Sequence, residues 1–363
     1  MKEYIAFDSH KRYTLAEREE VATGRVVQER IEHCPGAVLR YLQGGEAGTA
    51  VAVEAMGNWY WIVNEIEQAG KVPQLVHPRK AKLMMGMINK TDKLDVHGLN
   101  RLQRNRTLPT VWIAPRELRD LRELTRGRMV FSRQRAGLKN RLQAMLAKYG
   151  LWVEGVSDVF GMEGRRRMAK LMTTLPEHAQ WISQMLLEQL DLVERQLVEQ
   201  EEKLRKLLKE TPEMERLMSL PGVGLILSGV MALEIGQVSR FGSADRLASY
   251  AGTTPRVHSS GGKTHYGSLR PDVNRYLKWA LPEAANVVAL NRDRWALRPG
   301  PQQVSRLYQR IRRKKGHAKA VGAVARHLAE ASWWVLTKQQ EYREPGSPKE
   351  VGISQRGVSA VSA

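Results

Sequence analysis

Four acidic side chains stand where divalent cations could be held. Asp8 closes an apolar run (YIAFD), and Glu54 closes a β-prone one (AVAVE). Asp92 and Asp95 open a helical stretch at i, i+3, which puts both on one face. Hard cations such as Mg2+ take oxygen ligands, and a metal pair can activate an attacking oxygen and stabilise a leaving one in phosphoryl transfer. Singly, each acid reads as a surface charge, or as part of a helix start for Asp92 after Thr91; only the set suggests a metal site. A second candidate is Ser259-Ser260-Gly261-Gly262-Lys263, preceded by Thr254-Pro255-Arg256. Serine before two glycines carries its hydroxyl on a pliant backbone that can approach a phosphate. Arg256, Lys263 and Arg270 would offset charge developing in a transition state. Such a serine is a covalent nucleophile only if something activates it; otherwise the stretch is a flexible loop.

The charge balance says what such groups would act on. The 363 residues carry 58 Lys+Arg against 38 Asp+Glu, a formal net charge of +20. A polyanion is the natural partner, either nucleic acid or an anionic membrane face. The surplus is concentrated: residues 116–148 hold ten Lys/Arg against three acids, and residues 256–319 fifteen against three. Arg133, Arg135 and Lys139 in the first block, and Arg312, Arg313, Lys314 and Lys315 in the second, are candidate phosphate contacts, which bind without choosing sequence. Leu220-Pro-Gly-Val-Gly224 fits the hairpin of a helix-hairpin-helix element, whose following helix can meet a phosphate with its free N–H groups. The same pattern also occurs as a plain helix start. One cysteine, Cys34, excludes an internal disulfide framework and a multi-thiolate metal site. Nine histidines form no HxxxH pair, so no transition-metal site is indicated. The first residues lack the apolar stretch of a signal peptide, and the longest apolar run, Gly222 to Leu233, is too short to span a bilayer. The expected protein is soluble and works in a reducing compartment.

Elements to position these groups are readable from periodicity. Strands are expected at Tyr4–Asp8, Thr14–Glu19, Arg25–Ile31, Ala50–Glu54 and Val72–Val76, with a helix at Asn58–Gln68. Three strands expected to pair as a meander, followed by βα units, are how ribonuclease-H-like folds are built. From Arg116 to Lys148 there is no proline and leucines recur at helical spacing, as they do again from His178 to Leu208. Two long amphipathic helices are predicted there, in a helical hairpin or coiled coil, with a turn region at Gly150–Gly164. Shorter helices follow Pro212, interrupted by a loop at Thr253–Gly267, and resume at Val273–Ala289 and His317–Gln340. Trp59, Trp61, Trp333 and Trp334 fall on helical patterns and are expected in cores. The aperiodic tail from Glu344 is expected to be disordered.

Taken together, these motifs resemble the DEDD-type transposases of the insertion-sequence family one-ten. The resemblance runs from Tyr4 to about Tyr342. Its N-terminal marks are YIAFD, VAVEAMGNWY and NKTDKLD, which carry the family's acidic set at Asp8, Glu54, Asp92 and Asp95. Its C-terminal marks are LPGVG, FGSADRLASYAGTTPRVHSSGGK and VNRYLKWAL. The family's nucleophilic serine falls on Ser260. Met56 stands where the family usually has threonine, and Leu269 to Asn274 replaces its usual Ser/Thr-Lys-x-Gly-Asn segment. The resemblance implies an α/β plus all-α protein in four parts. These are a RuvC-like DEDD catalytic domain (1–112), a long helical or coiled-coil segment (113–212), a mainly helical transposase domain (213–342) and a tail (343–363). It also implies one or two Mg2+ ions on the four acids, attack by Ser260 on a DNA phosphate to form a phosphoserine link, and strand exchange. Donor and target DNA, a structured non-coding guide RNA, a dimer or tetramer whose active site is assembled between protomers, and a bacterial cytoplasmic, nucleoid-associated setting complete the expectation.

Two other readings fit the residues. One is a RuvC-like nuclease that cuts branched DNA by water attack, with Ser260 a loop residue. The other is a nucleic-acid-binding protein without enzymatic activity.

Overall fold

The computed structural model describes residues 3–86, 91–296 and 302–344, in two compact units, Met1–Ala114 and Pro115–Ala363. In the first unit, strands β1 (Glu3–Ser9), β2 (Tyr13–Glu20) and β3 (Val26–Glu32) form an antiparallel meander. Strands β4 (Ala50–Glu54) and β5 (Val72–Val76) lie parallel beside β1, so the sheet runs β3-β2-β1-β4-β5. Helices α1 (Ala37–Leu42), α2 (Trp59–Gln68), α3 (Pro78–Met85) and α4 (Asp92–Arg104) complete the unit. This is the mixed α/β arrangement that the strand order predicts.

Strand alternation sorts the side chains between two faces. Ile5, Phe7, Val51 and Val53 belong to one buried cluster with Ile62, Val63 and Ile66 of α2. Their neighbours Ala6 and Ala52 belong to the other, with Val96, Leu99 and Leu102 of α4. Alanines there let α4 approach closely. Continuing the alternation by two residues, Asp8 follows Ala6 and Glu54 follows Ala52, so both acids fall on the face that α4 covers. Thr91 caps α4, its hydroxyl accepting from the Leu94 N–H at 3.3 Å, which sets Asp92 and Asp95 in the first turn.

The second unit is mainly helical. Helices α5 (Arg116–Lys148) and α7 (Glu177–Glu210) run antiparallel, as the pairs Arg128–Glu201 (2.6 Å) and Lys139–Glu194 (2.9 Å) require. Between them lies α6 (Met162–Met172), tied to α7 by Arg165, which bonds Asp191 and Glu194. A larger core gathers α8 (Pro212–Met218), α9 (Leu225–Ile235), α10 (Ala244–Tyr250), α11 (Arg275–Ala296), α12 (Gln302–Lys315) and α13 (His317–Lys338). Glu234 on α9 is fully buried; the Arg126 guanidinium donates to both its oxygens (2.7 and 3.1 Å), and Asn274 donates at 2.8 Å.

Several expectations are corrected. The loop predicted at Thr253–Gly267 is a hairpin of β6 (Pro255–Ser260) and β7 (Lys263–Leu269). Its two-residue turn is Gly261-Gly262, both with positive φ (55° and 75°), as a primed turn needs. Nearly every hairpin residue is exposed, so no apolar alternation marks it in the sequence. The turn expected at Gly150–Gly164 holds up to Gly161, after which α6 begins, and α12 lies between the helices expected at Val273–Ala289 and His317–Gln340. Trp334 is half exposed, with Lys338 over its ring, whereas Trp333 packs against the core. Residues 345–363 of the expected tail, and Asn89 and Lys90 of NKTDKLD, lie outside the described residues.

Candidate active site

The four acids face one cavity, and within it Asp8 and Asp92, with His10, come within ligand distance of one another. Asp8, Glu54, Asp92 and Asp95 all line one cavity of about 410 Å3 in the first unit. Asp8 comes from the end of β1, Glu54 from the end of the adjacent parallel strand β4, and the pair from the first turn of α4. Arg79 and Lys82 of α3 also line it, so cations stand beside an acidic floor, suited to a phosphate-bearing substrate. Met56, at the family's usual threonine position, is a further wall.

Asp8 is 6% exposed. Burial pushes its carboxyl above the ordinary range; the His10 imidazole opposes this, and the charges of Asp95 and Asp92 reinforce it. A bound cation would relieve that concentration of negative charge. Carboxylate oxygens suit a hard divalent cation, and Asp8, Glu54, Asp92 and Asp95 are the acids on this cavity that would hold one.

Three residues absent from the sequence-based site complete this corner. His10 Nε2 lies 3.3 Å from Asp8 Oδ2 and 3.3 Å from Asp92 Oδ2. The Tyr13 hydroxyl donates to Asp92 Oδ2 at 2.8 Å, which raises the phenol's pKa. Asn58 donates to the His10 carbonyl at 2.8 Å and the Ser9 hydroxyl at 3.2 Å, holding the end of β1. The only available signal was His10 standing two residues beyond Asp8; its approach to Asp92, across the β1–β2 turn, has no local trace.

Ser260 belongs to the second unit. It ends β6, pairs with Lys263 across the glycine turn and is exposed, as are Arg256 and Lys263. Arg270 is bonded to Asp272 (2.8 Å). Arg312, Arg313, Lys314 and Lys315 are exposed in the last turn of α12. Arg133 is exposed on α5, Arg135 is half-buried, and Lys139 is engaged by Glu194 and the Phe160 ring. Leu220 to Gly224 forms the turn between α8 and α9. There Gly222 (φ 79°) passes so near Ala284 that a Cβ would stand 2.3 Å from its carbonyl oxygen.

An acidic cavity on a mixed sheet, within a strongly basic chain, defines the class: a carboxylate-site α/β protein built to meet a polyanion. Comparison with known proteins makes this specific. Residues 7–150 match a profile for DEDD transposases of the IS110 type, described as "Transposase", and residues 214–299 match one described as "Transposase IS116/IS110/IS902 family". Together they cover more than half the chain. The "Probable family 20 transposase" of Pseudomonas aeruginosa is 24% identical over 314 residues, covering 82% of this chain and 86% of that protein. The transposase for insertion sequence element IS1111A of Coxiella burnetii is 24% identical over 296 residues, covering 81% and 79%. A pilin gene-inverting protein of Moraxella bovis is 32% identical over 143 residues, covering 38% and 42%. The chain belongs to the IS110/IS116 family of DEDD-type insertion-sequence transposases, enzymes that cleave and recombine DNA.

Proposed function

We propose that this chain is an Mg2+-dependent DNA transposase that works through a covalent phosphoserine link. The observation that carries the reading is the convergence of Asp8, Glu54, Asp92 and Asp95 on one cavity from β1, β4 and α4. The sheet order, with a meander followed by parallel strands and acids at the ends of β1 and β4, supports a RuvC-like first domain. Domain roles follow the resemblance: 1–112 catalytic, 113–212 a coiled-coil segment, 213–342 carrying the serine. Bound Mg2+ supplies Lewis-acid stabilisation of charge on the phosphate oxygens. The four carboxylates hold and orient it, while Arg79 and Lys82 hold the phosphodiester over them. Ser260 Oγ gives up its proton and bonds to phosphorus as one P–O ester bond of the DNA breaks and its oxygen takes up a proton. One phosphoester replaces another, so the link can be passed to a second strand without a further energy source. Arg256, Lys263 and Arg270 steady the phosphate, and Arg133, Arg135, Lys139, Arg312, Arg313, Lys314 and Lys315 hold donor DNA, target DNA and a structured guide RNA. The protein acts as a homo-oligomer, a dimer or tetramer.

The test uses both DNA sites, the element's non-coding RNA and Mg2+. Cleavage should vanish in Asp8→Ala, and a protein–DNA adduct that survives denaturation should form with the wild type and disappear in Ser260→Ala. Cleavage that persists in Ser260→Ala without any adduct identifies the water-attack nuclease instead. DNA flanking the gene should encode a foldable RNA with loops matching the element's ends and target; its absence removes the guide.

A further inference from the structure

A nitrogen stands among the carboxylates. The facing atoms of Asp8, His10 and Asp92 all lie within 4.8 Å of one another, a spacing that suits three donors to one ion. His10 Nε2 is 3.3 Å from an oxygen of each acid, yet it is buried at the atom and makes a directed hydrogen bond with neither. Donors in adjacent positions around an ion are about 3 Å apart when metal–ligand distances are near 2.1 Å. A nitrogen at equal distance from two acidic oxygens, aimed well at neither, has the placement of a third ligand rather than of a hydrogen-bond donor.

The surroundings hold it there. The Tyr13 ring packs on the imidazole at 4.6 Å between centroids, while its hydroxyl orients Asp92. The Arg30 guanidinium lies over the Tyr13 ring, 3.8 Å from its centroid, and the Asn58 amide donates to the His10 carbonyl. Ligands of bound metals are oriented by such outer partners. The His10 side chain is 32% exposed, which leaves a path for an ion.

We propose that His10 is a ligand of the ion held by Asp8 and Asp92, so that the site is a mixed nitrogen–oxygen one with a preference for Mn2+ over Mg2+. The inference rests on the metal-site reading above. Mn2+ shares the taste of Mg2+ for carboxylates but, as a first-row transition ion, accepts an imidazole nitrogen more readily than Mg2+, which takes oxygen donors almost exclusively. His10 therefore sets which ion is held best.

The experiment titrates Mn2+ into the full chain and records pulsed electron paramagnetic resonance for 14N coupling to the bound ion. Wild type should show that coupling; His10→Ala and His10→Gln should lose it, with Mn2+ affinity down roughly tenfold or more and Mg2+ affinity changed less. Thermal melting of each variant shows that it is folded. Asp8→Asn separates the two ideas. Mn2+ binding that depends on Asp8 but shows no 14N coupling, or coupling that persists in both His10 variants, overturns the His10 ligand and leaves the carboxylate site standing. No Mn2+ binding by wild type, or undiminished binding by Asp8→Asn, overturns the carboxylate site and the ligand together.

Discussion

Single side chains in this protein often serve backbone that is distant in sequence. Glu65 on α2 accepts hydrogen bonds from the N–H groups of Gly36 (2.7 Å), Val38 (2.9 Å) and Leu39 (3.1 Å), the start of α1, which has no side-chain cap of its own. Charged hydrogen bonds of this kind are worth about 1.5–3 kcal/mol each at most, and they share one carboxylate. Glu65→Ala should therefore destabilise the chain by about 2 kcal/mol, read by urea denaturation, with Glu65→Gln recovering part of it. Glu234 is a harsher case. It is fully buried among Arg122, Arg126 and Asn274, so removing it strands buried cations. Glu234→Ala should cost about 3–5 kcal/mol, and a calorimetric transition unchanged from wild type would refute the claim.

At the scale of elements, α13 carries a built-in sensitivity to acid. His327 lies on this helix with Nε2 3.2 Å from the Tyr342 hydroxyl, and burial holds its pKa below the usual 6.5. The acidic groups facing it, Glu330 and Glu344, pull the other way but less strongly. An unfolded chain thus binds a proton here more readily than the folded one. The stability His327 contributes is complete above about pH 6.5 and declines as pH falls below it. Denaturant midpoints measured from pH 8 to pH 5 should drop more steeply for wild type than for His327→Gln; parallel profiles would rule the effect out.

Across the whole molecule, a net charge of +20 predicts strong dependence of nucleic-acid affinity on salt. The four cations ending α12 are exposed and adjacent. Replacing Arg312, Arg313, Lys314 and Lys315 together by alanine should weaken duplex binding and lower the log–log salt slope by up to about 3–4. A slope equal to wild type would show that this end of α12 never meets phosphate.

How much of this was legible beforehand divides by the range of the interactions. The limits of β4, β5 and α5 follow from runs of apolar residues, because burial of one face imposes a period within the segment itself. The same pattern put Asp8 and Glu54 at strand ends and Asp92 with Asp95 on one helix face. The hairpin of Pro255 to Leu269 escaped it because both faces are solvated and nothing selects alternating residues. The sequence by itself thus determined the mixed α/β first unit, the long helices, the concentration of positive charge and the identity of the four acids. Only the tertiary structure decided that β4 lies parallel against β1, that α4 covers the face holding both strand-end acids, and that His10 and Tyr13 join them. Those contacts join residues up to about eighty positions apart, and their pairing is set by packing over the whole sheet rather than by any local spacing.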